Sequence, residues 1–331
     1  MSLATVVVLG SNCFSGSHMV DLLLEHGAQQ VLGISRSPEK SALYLPYLGK
    51  APGRYQFHQI NMTQAIPDLL ALLDRVKPAV IINFAALSEV FQSNETPSEY
   101  FRINTQAVVD LCSALRQRAY LKQYIHVSSA EVYGHAKGHV REDAPVDPTS
   151  AYAASKAAAD LYLLTLFRRF NFPVRIIRST NVYGRHQQLF KIIPRTIIYL
   201  KQGKKIPLHG GGSAVRVFIH IRDVCAGILA CMQKGRSGGI YHFATDFSHD
   251  IAWVVRFIAQ QMGQNFQQVT EISGERAGQD DAYWLDCRLS AEELGWQPQI
   301  SFTQGVTETI DWIEANWQAI RDEPHVYRHV V

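Results

Sequence analysis

The sequence lacks the usual features of membrane, extracellular and nucleic-acid-binding proteins. Its five cysteines among 331 residues form no C-x-x-C pair, which disfavours a cysteine-built metal site and favours reduced thiols in a cytoplasmic protein. Lys and Arg exceed Asp and Glu by only three and form no basic run. The amino terminus lacks a positively charged signal region, and its apolar run is only strand-length. We expect a cytoplasmic protein with no metal, no nucleic-acid partner and no membrane partner.

The hydropathy pattern indicates an α/β protein. With 47% hydrophobic and 18% charged residues, the chain is large enough for one large domain and a smaller one. Short β-branched runs alternate with amphipathic stretches, which is typical of βαβ units in a parallel sheet. The predicted strands are residues 5–9, 30–35, 55–60, 79–84, 123–128 and 174–178. The predicted helices are residues 16–26, 66–76, 97–118, 152–169, 251–262 and 303–317.

This order predicts a doubly wound parallel sheet, the Rossmann fold, with a smaller C-terminal region. We expect residues 1–180 to form the dinucleotide-binding domain and residues 181–331 to form mainly the substrate-binding region. The boundary is not one clean cut, because the chain near residues 175–183 reads as a strand of the main sheet. Glycine clusters at 210–212 and 238–239 interrupt the later part.

A glycine-containing turn follows the first predicted strand and precedes a helix. This context places backbone N–H groups at a helix N-terminus, where a dinucleotide pyrophosphate binds. Cys13 stands where such turns often have a glycine, and its side chain would narrow the approach to phosphate. The candidate cofactor-binding residues here are Gly10, Asn12, Cys13, Phe14, Ser15 and Gly16.

The ends of the next strands extend this candidate site. Ser35 and Arg36 follow the second strand where an NAD-preferring site usually has an acid, and no carboxylate occurs before Glu39. Arg36 could bind a 2′-phosphate, so the pattern slightly favours NADP over NAD as cofactor. The remaining candidate cofactor-binding residues are Asn61, Met62, Phe84, Ala85, Ala86 and Asn104, together with Tyr152 and Lys156.

Tyr152 and Lys156 are one helical turn apart and therefore share a helix face. A neighbouring ammonium group stabilises a phenolate, so we expect Lys156 to lower the pKa of Tyr152 from its usual value of roughly 10. Such a phenolate could deprotonate a secondary alcohol during hydride transfer. The two residues are the leading candidates for acid–base catalysis.

The motifs together resemble the extended short-chain dehydrogenase/reductase family. They occur in the family's order at residues 10–18, 83–86, 127–134, 152–156 and 178–184. Later segments, residues 191–194, 210–216, 220–223 and 295–298, continue that order. Within the family the chain looks most like NAD(P)-dependent nucleotide-sugar dehydratases, epimerases and decarboxylases. The resemblance implies a nucleotide-diphosphate sugar as substrate and a homodimer as the assembly.

The resemblance also implies roles for individual residues. Ser129 would bind the sugar 4-hydroxyl, Tyr152 would remove its proton, and Lys156 would hold the nicotinamide ribose. Glu131 would be the base at C5. We expect it on the same side as Ser129, two residues earlier on an extended backbone; Ser128 is the alternative to Ser129. The candidate substrate-binding residues are Ser88, Ser129, Asn181, Lys191, Arg216 and Arg276.

Three residues depart from the family pattern: Cys13, Ala130 and Asp281. Ala130 stands where 4,6-dehydratases carry an Asp that acts as general acid. The leading interpretation is a nucleotide-sugar 4,6-dehydratase, followed by a 4-epimerase or a related decarboxylase. A non-catalytic NADP(H)-binding sensor or scaffold is the alternative of another class. A dimer interface could use apolar positions of two helices, including Val108, Leu111, Leu115, Leu161, Leu164 and Leu166.

Overall fold

The computed structural model describes residues 5–135, 138–274 and 284–327. Its strands alternate with helices along most of the chain. The strands are β1 (Thr5–Leu9), β2 (Gln30–Ser35), β3 (Tyr55–Gln59), β4 (Val80–Asn83), β5 (Gln123–Val127), β6 (His139–Val140), β7 (Val174–Ser179), β8 (Asn181–Tyr183), β9 (Ile206–His209), β10 (Val215–His220), β11 (Ile240–Phe243), β12 (Ser248–Asp250), β13 (Thr270–Ser273) and β14 (Trp284–Leu285).

The α-helices lie between these strands. They are α1 (Phe14–Glu25), α2 (Ile66–Val76), α3 (Val90–Glu95), α4 (Pro97–Phe101), α5 (Ala107–Leu115), α6 (Ala151–Phe170), α7 (Ile192–Lys201), α8 (Ile221–Lys234), α9 (Ile251–Gln261), α10 (Phe266–Val269), α11 (Phe302–Ala315) and α12 (Trp317–Ile320). A π-helical segment, Arg102–Gln106, joins α4 to α5, so the helix predicted over residues 97–118 is one continuous helical run.

The central sheet has seven strands in the order β11-β7-β5-β4-β1-β2-β3. All its pairings are parallel, as the crossover helices require. The order of the strands reverses between β1 and β4: β2 and β3 follow β1 toward one edge of the sheet, and β5, β7 and β11 follow β4 toward the other. In open α/β sheets, ligands bind beside such a reversal at the carboxyl ends of the strands.

Both faces of this sheet are buried, which explains its nearly unbroken apolar strands. In β1, Val6 and Val8 pack in one core cluster with residues of α1 and α8. Val7 and Leu9 pack in the opposite cluster with residues of α2, α5 and α6. The predicted doubly wound parallel sheet is therefore confirmed.

The chain beyond residue 180 contributes to two parts of the molecule. β11 is an edge strand of the central sheet, and α8 covers one sheet face, so chain from this region returns to the main sheet. A separate apolar cluster contains residues of α7, α9 and α11 beside the short strands β8 and β10. This second core supports the side of the cleft that faces the carboxyl ends of the sheet.

Three chemical features of the described chain bear on the early expectations. All five cysteines are free thiols, and three of them are buried. No group of three or more potential ligating side chains is arranged to hold a metal ion within the described ranges. In the same ranges, no helix combines the length and the apolar character needed to span a bilayer.

Candidate active site

Three adjoining cavities follow the carboxyl ends of the central strands. The glycine-loop cavity, of about 210 Å³, contains Gly10, Ser35 and Asn61 in its wall. The Tyr152 cavity, of about 230 Å³, shares Cys13, Phe84 and Ala86 with it. The outer cavity, of about 660 Å³, shares Ser88, Glu131, Asn181 and Lys191 with the Tyr152 cavity. Because neighbouring cavities share wall residues, the three form one continuous cleft.

The turn between β1 and α1 requires glycine at two positions. Gly10 has a φ of +81°, and a Cβ there would lie 2.7 Å from the backbone nitrogen of Ala85. A Cβ at Gly16 would lie 2.3 Å from the carbonyl oxygen of Gly10. The loop is therefore packed tightly against both the strand end and the segment after β4. This leaves the N-terminus of α1 facing the cleft.

Cys13 is accommodated without a left-handed backbone. It is the N-cap of α1 with φ −79° and ψ 161°, and its sulfur accepts a hydrogen bond from the Gly16 backbone N–H at 3.2 Å. Burial raises the pKa of the Cys13 thiol, whereas the Gly16 hydrogen bond and the Lys40 charge lower it. The side chain lies beside the cleft as an uncharged cap.

The end of β2 presents hydroxyl and cationic groups to the glycine-loop cavity. Ser35, Arg36, Ser37 and Lys40 all belong to its lining, and none of the described residues in that lining is acidic. Glu39 instead accepts a hydrogen bond from the Tyr47 hydroxyl at 2.9 Å. Lys40 was missed in the sequence because it lies in an irregular loop beyond the strand; a search for cations after β2 would have found it.

Most of the other predicted cofactor-binding residues lie where expected. Those that line the glycine-loop cavity are Gly10, Asn12, Cys13, Ser35, Arg36, Asn61, Met62, Phe84, Ala85 and Ala86. Phe14 and Ser15 line the Tyr152 cavity. Asn104 does not line any of the three, since its side-chain amide binds the Leu87 backbone N–H and C=O and the Ser155 hydroxyl. In this structure Asn104 supports the cavity wall through these hydrogen bonds, and a direct contact with a cofactor stays a prediction.

Tyr152 and Lys156 lie in the first turns of α6, which begins after the Ser150 N-cap. Both line the Tyr152 cavity, and they are 8% and 2% exposed, respectively. Burial, followed by the negative charge of Glu131, raises the pKa of Tyr152, and a hydrogen bond with Ser129 lowers it. The expected downward shift caused by Lys156 is thus wrong in this structure.

The direction of the Lys156 side chain explains this difference. Its Nζ donates to the Val127 carbonyl oxygen at 2.8 Å and lies 3.2 Å from Nε2 of His126. Burial lowers the pKa of Lys156 to about 8, although the charge of Asp160 raises it. The ammonium group is held on the β5 side of the site.

Ser129 and Glu131 lie in the same cavity for a reason that differs from the predicted one. β5 ends at Val127, and Ala130–Tyr133 is a 3-10 turn in which Ser129 accepts a hydrogen bond from the Glu131 backbone N–H at 3.2 Å. The argument from an extended strand was therefore wrong. The tight turn nevertheless brings both side chains to the Tyr152 cavity.

A buried polar layer lies beneath Lys156, formed by His126, Ser128, Asp160 and Arg178, and is called here the catalytic floor. The Ser128 hydroxyl donates to Asp160 Oδ2 at 2.9 Å, so this hydrogen bond lies within the floor. Arg178 donates from Nε and Nη2 to the same oxygen at 3.0 and 2.9 Å. The sequence offered no signal that these residues meet.

The outer cavity contains four of the predicted substrate-binding side chains. Asn181, Lys191 and Arg216 line it, as does Ser88. Lys191 Nζ lies 2.6 Å from Glu89 Oε1. This ion pair joins the segment before α3 to the segment before α7. Glu89 was not predicted as part of the site. Arg276 and Asp281 lie outside the described residues.

The fold and this Ser-Tyr-Lys set define a Rossmann-type dinucleotide-binding enzyme site. The model of the NAD dependent epimerase/dehydratase family matches residues 6–244. The chain therefore belongs to that family.

Individual relatives agree with this assignment. A dTDP-glucose 4,6-dehydratase from Streptomyces antibioticus is 32% identical over 334 residues, covering 96% of each protein. DesIV, a dTDP-glucose 4,6-dehydratase from Streptomyces venezuelae solved with NAD bound, superposes with a TM-score of 0.86 at 31% identity and covers 95% of this chain and 98% of its own. A UDP-glucose 4-epimerase from Thermotoga maritima has the same TM-score at 21% identity, covering 95% of this chain and 99% of its own, and supports the fold.

Proposed function

We propose that the protein is an NAD(P)-dependent nucleotide-sugar 4,6-dehydratase. The observation that carries this proposal is the presence of a third acid–base group, Glu131, in the same cavity as Ser129 and Tyr152. Oxidation at C4 alone requires only one general base, Tyr152. A carboxylate in the same space suits removal of the C5 proton, which a 4-keto group makes acidic. The dTDP-glucose 4,6-dehydratases at 31–32% identity support the same reaction.

The protein's residues would divide the work as follows. Ser129 holds the sugar 4-hydroxyl, and Tyr152 takes its proton while Lys156 supplies positive charge nearby. The residues of the glycine-loop cavity would hold a nicotinamide dinucleotide, which would supply the hydride acceptor and donor for this chemistry. Glu131 takes the C5 proton and hands it to the departing C6 hydroxyl, which leaves as water. A proton from solvent then restores the hydrogen at C5.

Ala130 is the reason to give Glu131 both proton transfers. The Ala130 side chain has no proton to donate and is 2% exposed within an apolar cluster. Without a neighbouring acid, Glu131 is the carboxyl group of the Tyr152 cavity wall that can protonate the leaving hydroxyl. The same alanine is the observation that favours the second candidate, a 4-epimerase, because epimerisation requires no proton at C6.

We assign NADP as the preferred cofactor and residues 1–180 as its main binding region. Arg36, Lys40 and the two neighbouring serines suit a 2′-phosphate, and Glu39 is engaged with Tyr47. Two similar dTDP-glucose 4,6-dehydratases have been solved with NAD bound, so the preference for NADP rests on the residues of this chain alone. Dissociation constants of NADP⁺ and NAD⁺ test the preference, and tighter binding of NAD⁺ would overturn it.

We assign the nucleotide diphosphate to the outer cavity, so that residues 181–331 provide most of the substrate contacts. Lys191 and Arg216 offer cationic groups and Asn181 an amide. The sugar would then lie in the Tyr152 cavity, which shares Asn181 and Lys191 with the outer one. In this arrangement C4 would lie beside Tyr152.

The test is mass spectrometry of a panel of nucleotide sugars incubated with the protein and NAD⁺ or NADP⁺ in deuterated water. Dehydration predicts loss of one water with one deuterium gained. Glu131→Gln should then reduce turnover by roughly 100-fold or more, because it removes a general base. An isomer of unchanged mass, formed equally by Glu131→Gln, would instead establish the epimerase.

A non-catalytic sensor is the alternative of another class. Its support was Cys13, but the structure uses that sulfur as a helix cap and burial raises the pKa of its thiol. A thiol in that state is a poor redox sensor. Binding of NADP(H) with no turnover of any sugar in the panel would favour this alternative.

We propose a homodimer in a reducing compartment such as the cytoplasm. Among the predicted interface residues, Val108, Leu111, Leu115 and Leu166 face the protein's own core, whereas Leu161 on α6 is 52% exposed. Phe101 and Phe170 are also exposed large apolar side chains on or beside these helices. Light scattering tests the assembly, and a monomer at all concentrations would contradict it.

A further inference from the structure

The catalytic floor contains more buried charge than a folded core requires. His126 and Asp160 are fully buried, and Arg178 is 2% exposed. Removing such groups from water costs several kcal/mol per ion unless their partners compensate. None of these three side chains belongs to the described lining of the three cavities. Their contacts lead instead to Lys156.

The contact between Lys156 and His126 defines the state of the imidazole. An ammonium group only donates hydrogen bonds, so Nε2 of His126, 3.2 Å from Lys156 Nζ, is the acceptor. Burial, then the charges of Lys156 and Arg178, lower the pKa of His126 well below its usual value. The imidazole is therefore neutral and fixes one of the directions in which the Lys156 ammonium can donate.

Asp160 supplies a negative charge that stabilises the Lys156 ammonium group. It lies one helical turn after Lys156 on α6, and its Oδ2 accepts from Arg178 and Ser128. Its other oxygen, Oδ1, is 3.8 Å from His126 Nε2. The carboxylate therefore has a fixed position next to the imidazole that binds Lys156. Its charge opposes the loss of the Lys156 proton that burial promotes.

We propose that His126 and Asp160 are positioning residues that keep Lys156 charged and directed along β5, and thereby determine the pH at which Tyr152 can act as a base. This inference rests on the proposed function only in that Tyr152 and Lys156 perform the hydride chemistry. Two buried cations, Lys156 and Arg178, face one buried anion in this layer. Positive charge in this layer opposes the effects of burial and Glu131, which together raise the pKa of Tyr152 in this structure.

Other charged and titratable groups also face this cluster. Glu131 acts in the opposite direction, because its charge raises the pKa of Tyr152. The Arg178 Nη1 group donates to the Tyr133 hydroxyl, which contacts Nε2 of His242 at 2.6 Å. The groups around the cluster are Tyr124 on β5, Glu131 and Tyr133 after it, Tyr152 on α6, Tyr100 on α4 and His242 on β11.

The matched pair His126→Gln and His126→Met tests the proposal. Glutamine keeps an acceptor near the Nε2 position, whereas methionine has similar volume and only a weak acceptor. In His126→Met the ammonium loses a stabilising partner, so the pKa of Lys156 falls and that of Tyr152 rises. The acid limb of the kcat/KM profile should move up by about one pH unit, and activity below it should fall roughly tenfold. His126→Gln should stay close to the parent profile.

A second measurement does not depend on the substrate. The ¹³Cε shift of Lys156, assigned by comparison with Lys156→Arg, reports its titration in the protein and in both variants. A lower titration midpoint in His126→Met than in His126→Gln is expected. Equal midpoints, or a loss of thermal stability with an unchanged pH profile, would show a purely structural role and overturn the inference. If no sugar reacts, the proposed function is contradicted. The titration of Lys156 then tests this inference by itself.

Discussion

The catalytic floor and the outer cavity both contain ion pairs, but the pairs are held under different conditions. In the floor, Asp160 binds Arg178 with both side chains at most 3% exposed. In the outer cavity, Lys191 and Glu89 are 33% and 22% exposed, and each comes from a different part of the chain. A buried pair cannot exchange its partner for water, whereas a half-exposed pair can. The residues proposed for the chemistry therefore lie above a buried ion pair with fixed partners, whereas the proposed substrate contacts include an ion pair that can exchange its partner.

The largest effect should come from Tyr152, the candidate base of the Tyr152 cavity. Tyr152→Phe removes the hydroxyl that takes the substrate proton but leaves the ring packed against Tyr100. Turnover should fall about 100- to 10,000-fold because general base catalysis is lost. Single-turnover measurement of reduced nicotinamide tests this, with cofactor affinity as the control. A Tyr152→Phe variant that retains most of its turnover would remove Tyr152 from the mechanism.

Disruption of the buried ion pair should come second and should act on stability. Arg178→Met removes the guanidinium partner of the buried Asp160 carboxylate and leaves the Ser128 hydroxyl as its donor, so the free energy of unfolding should decrease by about 3–5 kcal/mol. Arg236→Met is the matched control, because Arg236 is exposed and its pair with Glu293 should contribute less than about 1 kcal/mol. Urea unfolding of both variants gives the comparison. Similar losses in the two would abolish the distinction between buried and exposed pairs.

The smallest effect should come from the outer cavity. Glu89→Gln removes a carboxylate that competes with diphosphate for Lys191, so KM for the nucleotide sugar should fall about three- to tenfold with little change in kcat. The control is Glu314→Gln, which releases Lys201 at the opposite end of α7 from Lys191. Steady-state kinetics at low and high salt measure both. A higher KM in Glu89→Gln would show that the pair positions the substrate instead of competing with it.

Much of the sheet was predictable because its strands are short, apolar and separated by amphipathic helices. The predicted bounds of β1, β2 and α2 agree with the structure, those of β3 differ by one residue at its end, and those of α6 differ by one residue at each end. α8 was missed because its N-cap is a histidine that follows β10 without a glycine or proline break. α7 was missed because its isoleucine-rich sequence with Pro194 suits a strand as well as a helix.

The cofactor side of the cleft was more predictable than the chemistry beneath Tyr152. The residues of the glycine-loop cavity lie directly after strands, so a parallel sheet brings them to one edge. Glu89 and Lys191 are 102 positions apart and meet only across the cleft. The direction of Lys156 could not be inferred, because its partners are a carbonyl oxygen and an imidazole of a neighbouring strand.

The sequence by itself determined the parallel sheet, the glycine turn and the Tyr152–Lys156 pair, since each depends on neighbours within a few positions of the chain. Only the tertiary structure decided that Cys13 caps α1, that Glu131 reaches the cleft through a tight turn and that Asp160 faces His126. The contact between Asp160 and His126 depends on how α6 packs against β5. Burial then determines which of the charges in that layer persist, because a charge removed from water requires a partner in a fixed position.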